Sequence, residues 1–192
     1  MTVASTLLRS GRTAGGLSQR ALARQTGTDQ PAIVAIEKGT RDPSIGVLDR
    51  LLRGTGHSLI SVPTRAFPVA VFVDEIRTQL ASGNRETAFR SFLSLNDSLS
   101  AQPPGIQVVL TISDPGTTGS AEFDALVAGL VEHILRRRRL PVPAWVNEPS
   151  RFLDQEWFVD DSPYARAHDK DASPRAFARR NVVIAATELE ST

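Results

Sequence analysis

Side chains suited to contacting a nucleic acid are concentrated between residues 19 and 41. An amide can pair with N6 and N7 of adenine in the major groove, so Gln30 is the first candidate for reading a base directly. Val34 and Ala35 are short and apolar and suit contact with the methyl group of thymine. Three basic residues nearby are candidates for contacts with phosphates: Arg20, Lys38 and Arg41.

Two short helices joined by a tight turn are predicted to position these side chains. Ser18 is a good N-cap for the first helix, over 19–25, and Leu22 is its inward anchor. Gly27 allows the left-handed conformation that the turn requires. The second helix is therefore predicted to begin directly after this glycine.

The second helix is predicted over 28–38. Thr28 is expected to cap it, and Asp29 in its first turn is favourable to the helix dipole but repels phosphate if it faces the nucleic-acid backbone. Pro31 is tolerated there because a first-turn N–H has no partner within the helix. Ile33 and Ile36 are predicted to point to the core. Thr28 and the outward residues then form the candidate interface: Thr28, Asp29, Gln30, Val34, Ala35 and Lys38.

Two more helices and a strand are predicted around this pair. One helix covers 2–13, and the other follows Pro43-Ser44 with an apolar stripe of Ile45, Leu48, Leu51 and Leu52. The alternation of apolar residues over 59–62 predicts a strand that ends at Pro63. A lone strand must pair with the C-terminal region or with a second copy of the chain.

The linked pattern over 17–52 resembles the helix-turn-helix of the Cro/C1 type, also called the XRE family. The resemblance rests on Leu17-Ser18-Gln19-Arg20-Ala21-Leu22-Ala23, Gly27-Thr28-Asp29-Gln30, Ile33-Val34-Ala35-Ile36-Glu37-Lys38-Gly39 and Arg41-Asp42-Pro43. It implies a four- to five-helix domain over 1–65 that binds double-stranded DNA as a homodimer, with half-sites about one helical turn apart. In the family, the position of Gln19 meets the phosphate backbone through its side chain and the helix N-terminus.

Two residues limit what the resemblance implies, Pro31 and the acidic Asp29, which repels phosphate if it faces the nucleic-acid backbone. Pro31 stands where many relatives carry a polar base-reading residue, so one direct contact is expected to be absent. Specificity then depends on Gln30, methyl contacts, DNA shape and dimer spacing. The alternative is a helical hairpin that serves only in protein contacts.

Charge is distributed unevenly along the chain. Residues 1–65 carry nine basic and four acidic residues, a charge of +5, whereas the remainder carries 13 basic and 17 acidic residues, a charge of −4. A basic N-terminal part joined to an acidic body is typical of a module that binds a polyanion.

There is no cysteine, so disulfides and thiolate sites are excluded. No apolar run approaches the roughly 20 residues of a membrane span and no signal peptide is evident, so we expect a cytoplasmic protein without membrane contact.

The remaining residues, 66–192, predict an α+β domain, so the fold class expected for the chain is mainly α with minor β. Helices are predicted over 69–82, 84–99 and 120–139. The apolar run 106–112 fits a strand or a buried helical turn. Ser173-Pro174 is predicted to open a helix that ends near Arg180, before a strand over 182–184 and a final turn capped by Thr187.

Two segments of this domain allow two interpretations each. Arg136 to Arg139 end the helix over 120–139, where they either stabilise its C-terminus or contact phosphate or an acidic or RNA-bearing partner. Prolines and aromatic residues between 140 and 164 either anchor the fold or form a binding surface: Trp145, Phe152, Trp157, Phe158 and Tyr164.

A second, looser resemblance covers 69–190. Pro-x-Trp at 143–145, Trp-Phe at 157–158, Pro-x-x-Phe-x-Arg-Arg at 174–180 and the closing strand are similar to the C-terminal regions of some repressor-like proteins of toxin–antitoxin operons. It implies a repressor of its own operon, with a cognate toxin as candidate partner. The alternatives are a regulator whose C-terminal domain binds a small molecule and, with least support, an enzyme with a DNA-targeting module.

Catalytic and metal-binding patterns are lacking, and no cofactor is expected. His57, His133 and His168 are far apart, and none has a two-histidine metal spacing. Asp169 and Asp171, close to His168, form either a metal site or a polar loop. The sequence contains no glycine-rich phosphate loop and no nucleophile elbow.

Overall fold

The computed structural model describes residues 3–163 and 172–190. The chain divides into two compact units: the first comprises 1–65 and 113–116, and the second comprises 66–112 and 117–192. Helices dominate the described residues of both units, and a two-stranded sheet is the β component. The predicted class, mainly α with minor β, is confirmed.

The first unit contains four helices within its described residues. They are α1 (Val3–Ala14), α2 (Gln19–Thr26), α3 (Gln30–Glu37) and α4 (Ile45–Arg53). A small apolar core lies between them and consists of Leu8, Leu22, Ala23, Ile33, Ile36, Leu48, Leu51 and Leu52. The predicted inward positions of α2 and α3 are therefore buried.

The turn between α2 and α3 follows the local sequence closely. The Ser18 hydroxyl oxygen accepts a hydrogen bond from the Ala21 N–H at 3.0 Å, and Gly27 adopts the left-handed conformation with φ 63°. The prediction that Thr28 caps α3 is wrong, because Asp29 occupies the N-cap position. If Thr28 were the cap, Pro31 would be the third residue of the helix. The backbone N–H of the third residue normally donates to the cap side chain, and proline has no N–H to donate.

Two expectations about α4 and the residues after it are also wrong. Ser44 caps α4, as its position indicates. Ile45, the first residue of the helix, is 76% exposed because it lies before the part of α4 that packs against the core. No strand is present over 59–62 within the described residues, and Leu59 and Ile60 are exposed. An alternating apolar pattern cannot form a ladder without a partner strand.

The second unit is built from four longer helices, one short helix and two short strands within its described residues. The helices are α5 (Val69–Ala81), α6 (Arg85–Ser100), α7 (Pro104–Thr111), α8 (Ala121–Arg137) and α9 (Arg175–Ala178). Strands β1 (Trp157–Phe158) and β2 (Val182–Val183) are parallel, with Trp157 opposite Val182. Single 3₁₀ turns occur at Ala144–Asn147, Pro149–Arg151 and Ala186–Leu189.

Helix α8 is the centre of the second unit. It packs against α6, α7, α9 and β2, and its buried residues include both apolar and charged side chains. Gly129 lets α9 approach closely, since a Cβ at this position would lie 2.7 Å from the Phe177 ring. Because α8 is buried around most of its circumference, its apolar residues lie on more than one face of the helix.

Several expectations for the second unit need correction. Residues 106–112 belong mostly to α7 rather than to a strand, so the alternative of a helical turn is confirmed. Helix α9 is shorter than predicted, and Pro174 takes the cap position because the Ser173 hydroxyl bonds to the backbone of Val182 and Ile184 instead. The final turn is capped at Ala185, not at Thr187.

The aromatic segment anchors the fold. Trp145 is 4% exposed, and its indole N–H donates to the Thr111 carbonyl at 2.9 Å. Trp157 packs against the core beside Phe123. Tyr164 lies outside the described residues. None of the described helices is long and apolar enough to cross a membrane.

Candidate nucleic-acid interface

A buried carboxylate holds α3 against the two preceding helices. Glu37, at the end of α3, is 3% exposed and accepts hydrogen bonds from Arg12 Nε at 2.6 Å, Arg12 Nη2 at 3.0 Å and Gln19 Nε2 at 2.8 Å. Arg9 also donates to the Glu37 carbonyl oxygen. These bonds connect α1, α2 and the C-terminal end of α3, so the orientation of α3 is fixed by charge-assisted contacts as well as by packing.

The opposite side of α3 is open to solvent. Gln30 and Lys38 are exposed, while Val34 and Ala35 are half-buried. These four residues, together with Pro31 and Thr40, line one shallow groove on the surface, here called the α3 face. The structure therefore brings together four of the predicted contact residues.

Thr40 was not among the predicted contact residues. Its backbone N–H and hydroxyl both donate to the Ala35 carbonyl oxygen, at 3.0 and 3.1 Å, which folds the chain back beside the end of α3. Gly39, with φ 71°, makes this reversal possible. The glycine after the helix was a usable signal for the turn, but the sequence did not indicate that Thr40 returns to the α3 face.

The predicted contact residues at the starts of α2 and α3 differ in whether their polar groups are available to DNA. Gln19 is half-buried and commits one amide N–H to Glu37. The hydroxyl oxygen of Thr28 is buried and has no hydrogen-bond partner within the described residues, so it is not presented to a phosphate. Asp29 is exposed and makes no capping hydrogen bond through its side chain.

Basic side chains around the α3 face are exposed. Arg20, Lys38 and Arg41 have no ion pair within the described residues. Two acidic residues of the first unit are neutralised locally, because Glu37 pairs with Arg12 and Asp49 pairs with Arg53. The charge that remains on the surface of this unit is therefore predominantly positive, as a polyanion partner requires.

Arginine side chains at the end of α8 form hydrogen bonds to other residues of the second unit. Arg136 Nε donates to Glu132 at 2.6 Å, and Arg138 Nη1 donates to the Gln102 carbonyl oxygen at 2.9 Å. Arg138 also reaches the Ser100 carbonyl at the end of α6. Cations at helix C-termini are favourable, and these bonds support the stabilising interpretation for Arg136 and Arg138.

Clusters of side chains that could hold a metal ion are absent from the described part of the chain. Within residues 3–163 and 172–190, no three His, Asp or Glu side chains are placed to hold a metal ion. Burial lowers the pKa of His133, and the nearby charge of Arg137 lowers it further. His168, Asp169 and Asp171 lie outside the described residues.

Comparison with known families agrees with the geometry of the first unit. Residues 8–59 match the family model described as helix-turn-helix. No curated protein and no solved structure gave a significant match. The N-terminal unit is therefore a helix-turn-helix of the Cro/C1 type, and the chain is a DNA-binding transcription regulator. The match ends at residue 59, so the resemblance of 69–190 to antitoxin-like repressors stays a prediction.

Proposed function

We propose that this protein is a sequence-specific repressor that places the α3 face in the major groove of double-stranded DNA and acts on its own operon. One observation carries the proposal. The inward side of α3 is held by buried Ile33, Ile36 and Glu37, while its other side presents an amide, short apolar side chains and a lysine. A helix fixed in this way fits the major groove, where each base pair has a distinct pattern of donors and acceptors.

The predicted contact residues on and around the α3 face have distinct expected roles. Gln30 pairs with adenine, and Val34 and Ala35 contact thymine methyl groups. Phosphates are contacted by Arg20, Lys38 and Arg41, and by the N-terminus of α2 with the remaining amide hydrogen of Gln19. Few hydrogen-bonding base readers remain, so DNA shape and half-site spacing contribute to specificity.

A homodimer is part of the proposal. One α3 covers only one half-site, and two copies span half-sites about one helical turn apart. Ile45 and Ile60, exposed at 76% and 67% on the first unit, provide apolar surface that a second copy would cover. Their burial would remove apolar surface from water, which favours association.

Replacing Gln30 by alanine tests the base-reading role. We expect Gln30→Ala to weaken binding to the selected duplex about tenfold or more, because a bidentate amide–adenine pair contributes about 1–3 kcal/mol of discrimination. Binding to random duplex should change little. Both affinities are measured with the full chain at one fixed salt concentration, since phosphate contacts depend strongly on salt.

The control for this experiment is Gln155→Ala, which removes an exposed glutamine of the second unit. It should leave both affinities unchanged. Equal losses on selected and random duplex in Gln30→Ala would remove Gln30 from the base-reading role.

Two kinds of partner are candidates for controlling the repressor: a toxin protein and a small-molecule effector. A cognate toxin bound by the second unit is supported by the loose resemblance of 69–190, and co-purification with the product of an adjacent gene tests it. A small-molecule effector is supported by a specific observation, a cleft in the second unit that is lined by Arg136, Arg175 and Arg179. This cleft favours the ligand-responsive regulator as the second candidate function.

A further inference from the structure

Three arginines converge on one buried carboxylate in the second unit. Glu132 of α8 is 2% exposed. Its Oε1 accepts hydrogen bonds from Arg136 Nε at 2.6 Å and from Arg179 Nη1 at 2.7 Å, and its Oε2 accepts from Arg180 Nη1. Together with Arg175 and Ala176, the residues Glu132, Arg136 and Arg179 line a cleft of about 310 Å³, here called the arginine cleft.

Positive charge in the arginine cleft is not balanced by its own residues. Burial raises the pKa of Glu132, but hydrogen bonds from Arg180 and Arg136 outweigh it and hold that pKa below the ordinary value. Glu132 is therefore ionised at neutral pH and contributes a single negative charge. It neutralises one of its three bonded guanidinium groups, and Arg175 adds a further positive charge.

Guanidinium N–H groups of the arginine cleft remain available as hydrogen-bond donors. Arg175 is exposed, and its side chain makes no hydrogen bond or ion pair within the described residues. Among the described residues, the Arg136 side chain, 61% exposed, is bonded through Nε alone. The Arg179 side chain is 37% exposed and bonds Glu132 through Nη1 and Asn147 through Nη2. Several guanidinium N–H groups, those of Arg175 above all, thus have no partner in the described part of the chain and can bind an anion with the bidentate geometry that oxyanions favour.

Stability alone does not explain the position of Arg175. Arg180, which is fully buried, already satisfies Glu132 and also bonds the carbonyls of Ala176 and Val146. Arg175 makes none of these contacts, and its charge is repelled by the neighbouring guanidinium groups. An anion in the cleft would turn this repulsion into attraction.

We propose that the arginine cleft binds the phosphate group of a small phosphate monoester through Arg136, Arg175 and Arg179. A phosphate monoester carries a charge of about −1.5 to −2 at pH 7 and three acceptor oxygens, which suits an excess of guanidinium donors. The volume lies at the lower end of the range for small-molecule sites, so the ligand is small. A nucleic acid instead requires a basic groove that follows its backbone. This site goes beyond DNA binding; its use as an effector site rests on the second candidate function, the ligand-responsive regulator.

Titration calorimetry of the full chain tests the proposal, with phenyl phosphate and inorganic phosphate as probes at constant ionic strength. We expect saturable binding of one phenyl phosphate per chain. Arg175→Gln should weaken it at least about tenfold, because a hydrogen bond to a charged group contributes about that factor. Since the Arg175 side chain has no partner among the described residues, this variant should fold as the parent does.

The matched control is Arg90→Gln, which removes one exposed positive charge from α6 outside the cleft. It should change phenyl phosphate affinity less than about twofold, as expected for a screened surface charge. The proposal is overturned if neither probe gives saturable binding, or if both variants weaken it equally. Binding of a short single-stranded RNA without binding of either probe also overturns it. Duplex affinity, measured on the same preparations, reports on the DNA-binding function separately.

Discussion

Glu132→Ala is expected to lower the free energy of unfolding of the second unit by about 3–5 kcal/mol, the typical cost of leaving a buried charge without its partner. Arg180 is 0% exposed, and its ionic partner is Glu132. Alanine also removes the acceptor shared by Arg136 and Arg179. Three guanidinium groups would then lie close together with no anion among them.

Denaturant unfolding followed by tryptophan fluorescence measures this effect. Both tryptophans of the chain, Trp145 and Trp157, lie in the second unit, so the signal reports on that unit. Glu86→Ala is the control, because it breaks an exposed pair with Arg90 whose contribution is at most about 1 kcal/mol. A loss in Glu132→Ala no larger than that of the control would contradict the structural role of Glu132.

Glu37→Ala is expected to destabilise the first unit by about 3–5 kcal/mol, for the same reason. The Glu37 side chain is 4% exposed and that of Arg12 is 17% exposed, so the guanidinium would stay largely buried without its carboxylate. Gln19 would lose its acceptor at the same time. Because these bonds fix the end of α3, affinity for duplex DNA should fall together with stability.

Hydrogen exchange of backbone amides over 3–53 checks the effect of Glu37→Ala. Protection of α1, α2 and α3 should decrease in the variant, since opening of this unit becomes easier. Asp49→Ala, which breaks the more exposed pair with Arg53, should leave protection close to that of the parent. Unchanged exchange over 3–53 would show that Glu37 does not hold these helices together.

Local signals were sufficient to predict most of the helix-turn-helix scaffold. Ser18, Gly27 and Gly39 determine a cap and two turns through their own backbone and side-chain chemistry, so their effects are readable without the fold. Inward positions such as Leu22 and Ile36 follow from helical periodicity in the same way.

Features that depend on distant partners were not predictable in this way. The exposure of Ile45 and the missing strand near Ile60 depend on what packs beside them, which a local pattern does not contain. The ion pair of Arg12 with Glu37 joins residues 25 positions apart. Likewise, the cluster around Glu132 requires α9 to return to α8, whereas the sequence showed only a cationic helix end.

Selection of duplexes from a random pool with the full chain, at fixed salt, tests most directly that the α3 face reads DNA. The pool is predicted to converge on a two-fold symmetric site with half-sites about one helical turn apart. Adenine and thymine are expected at the positions that Gln30, Val34 and Ala35 contact. A pool that stays random after repeated rounds, or selected duplexes bound no more tightly than random ones, would contradict sequence-specific reading by the α3 face.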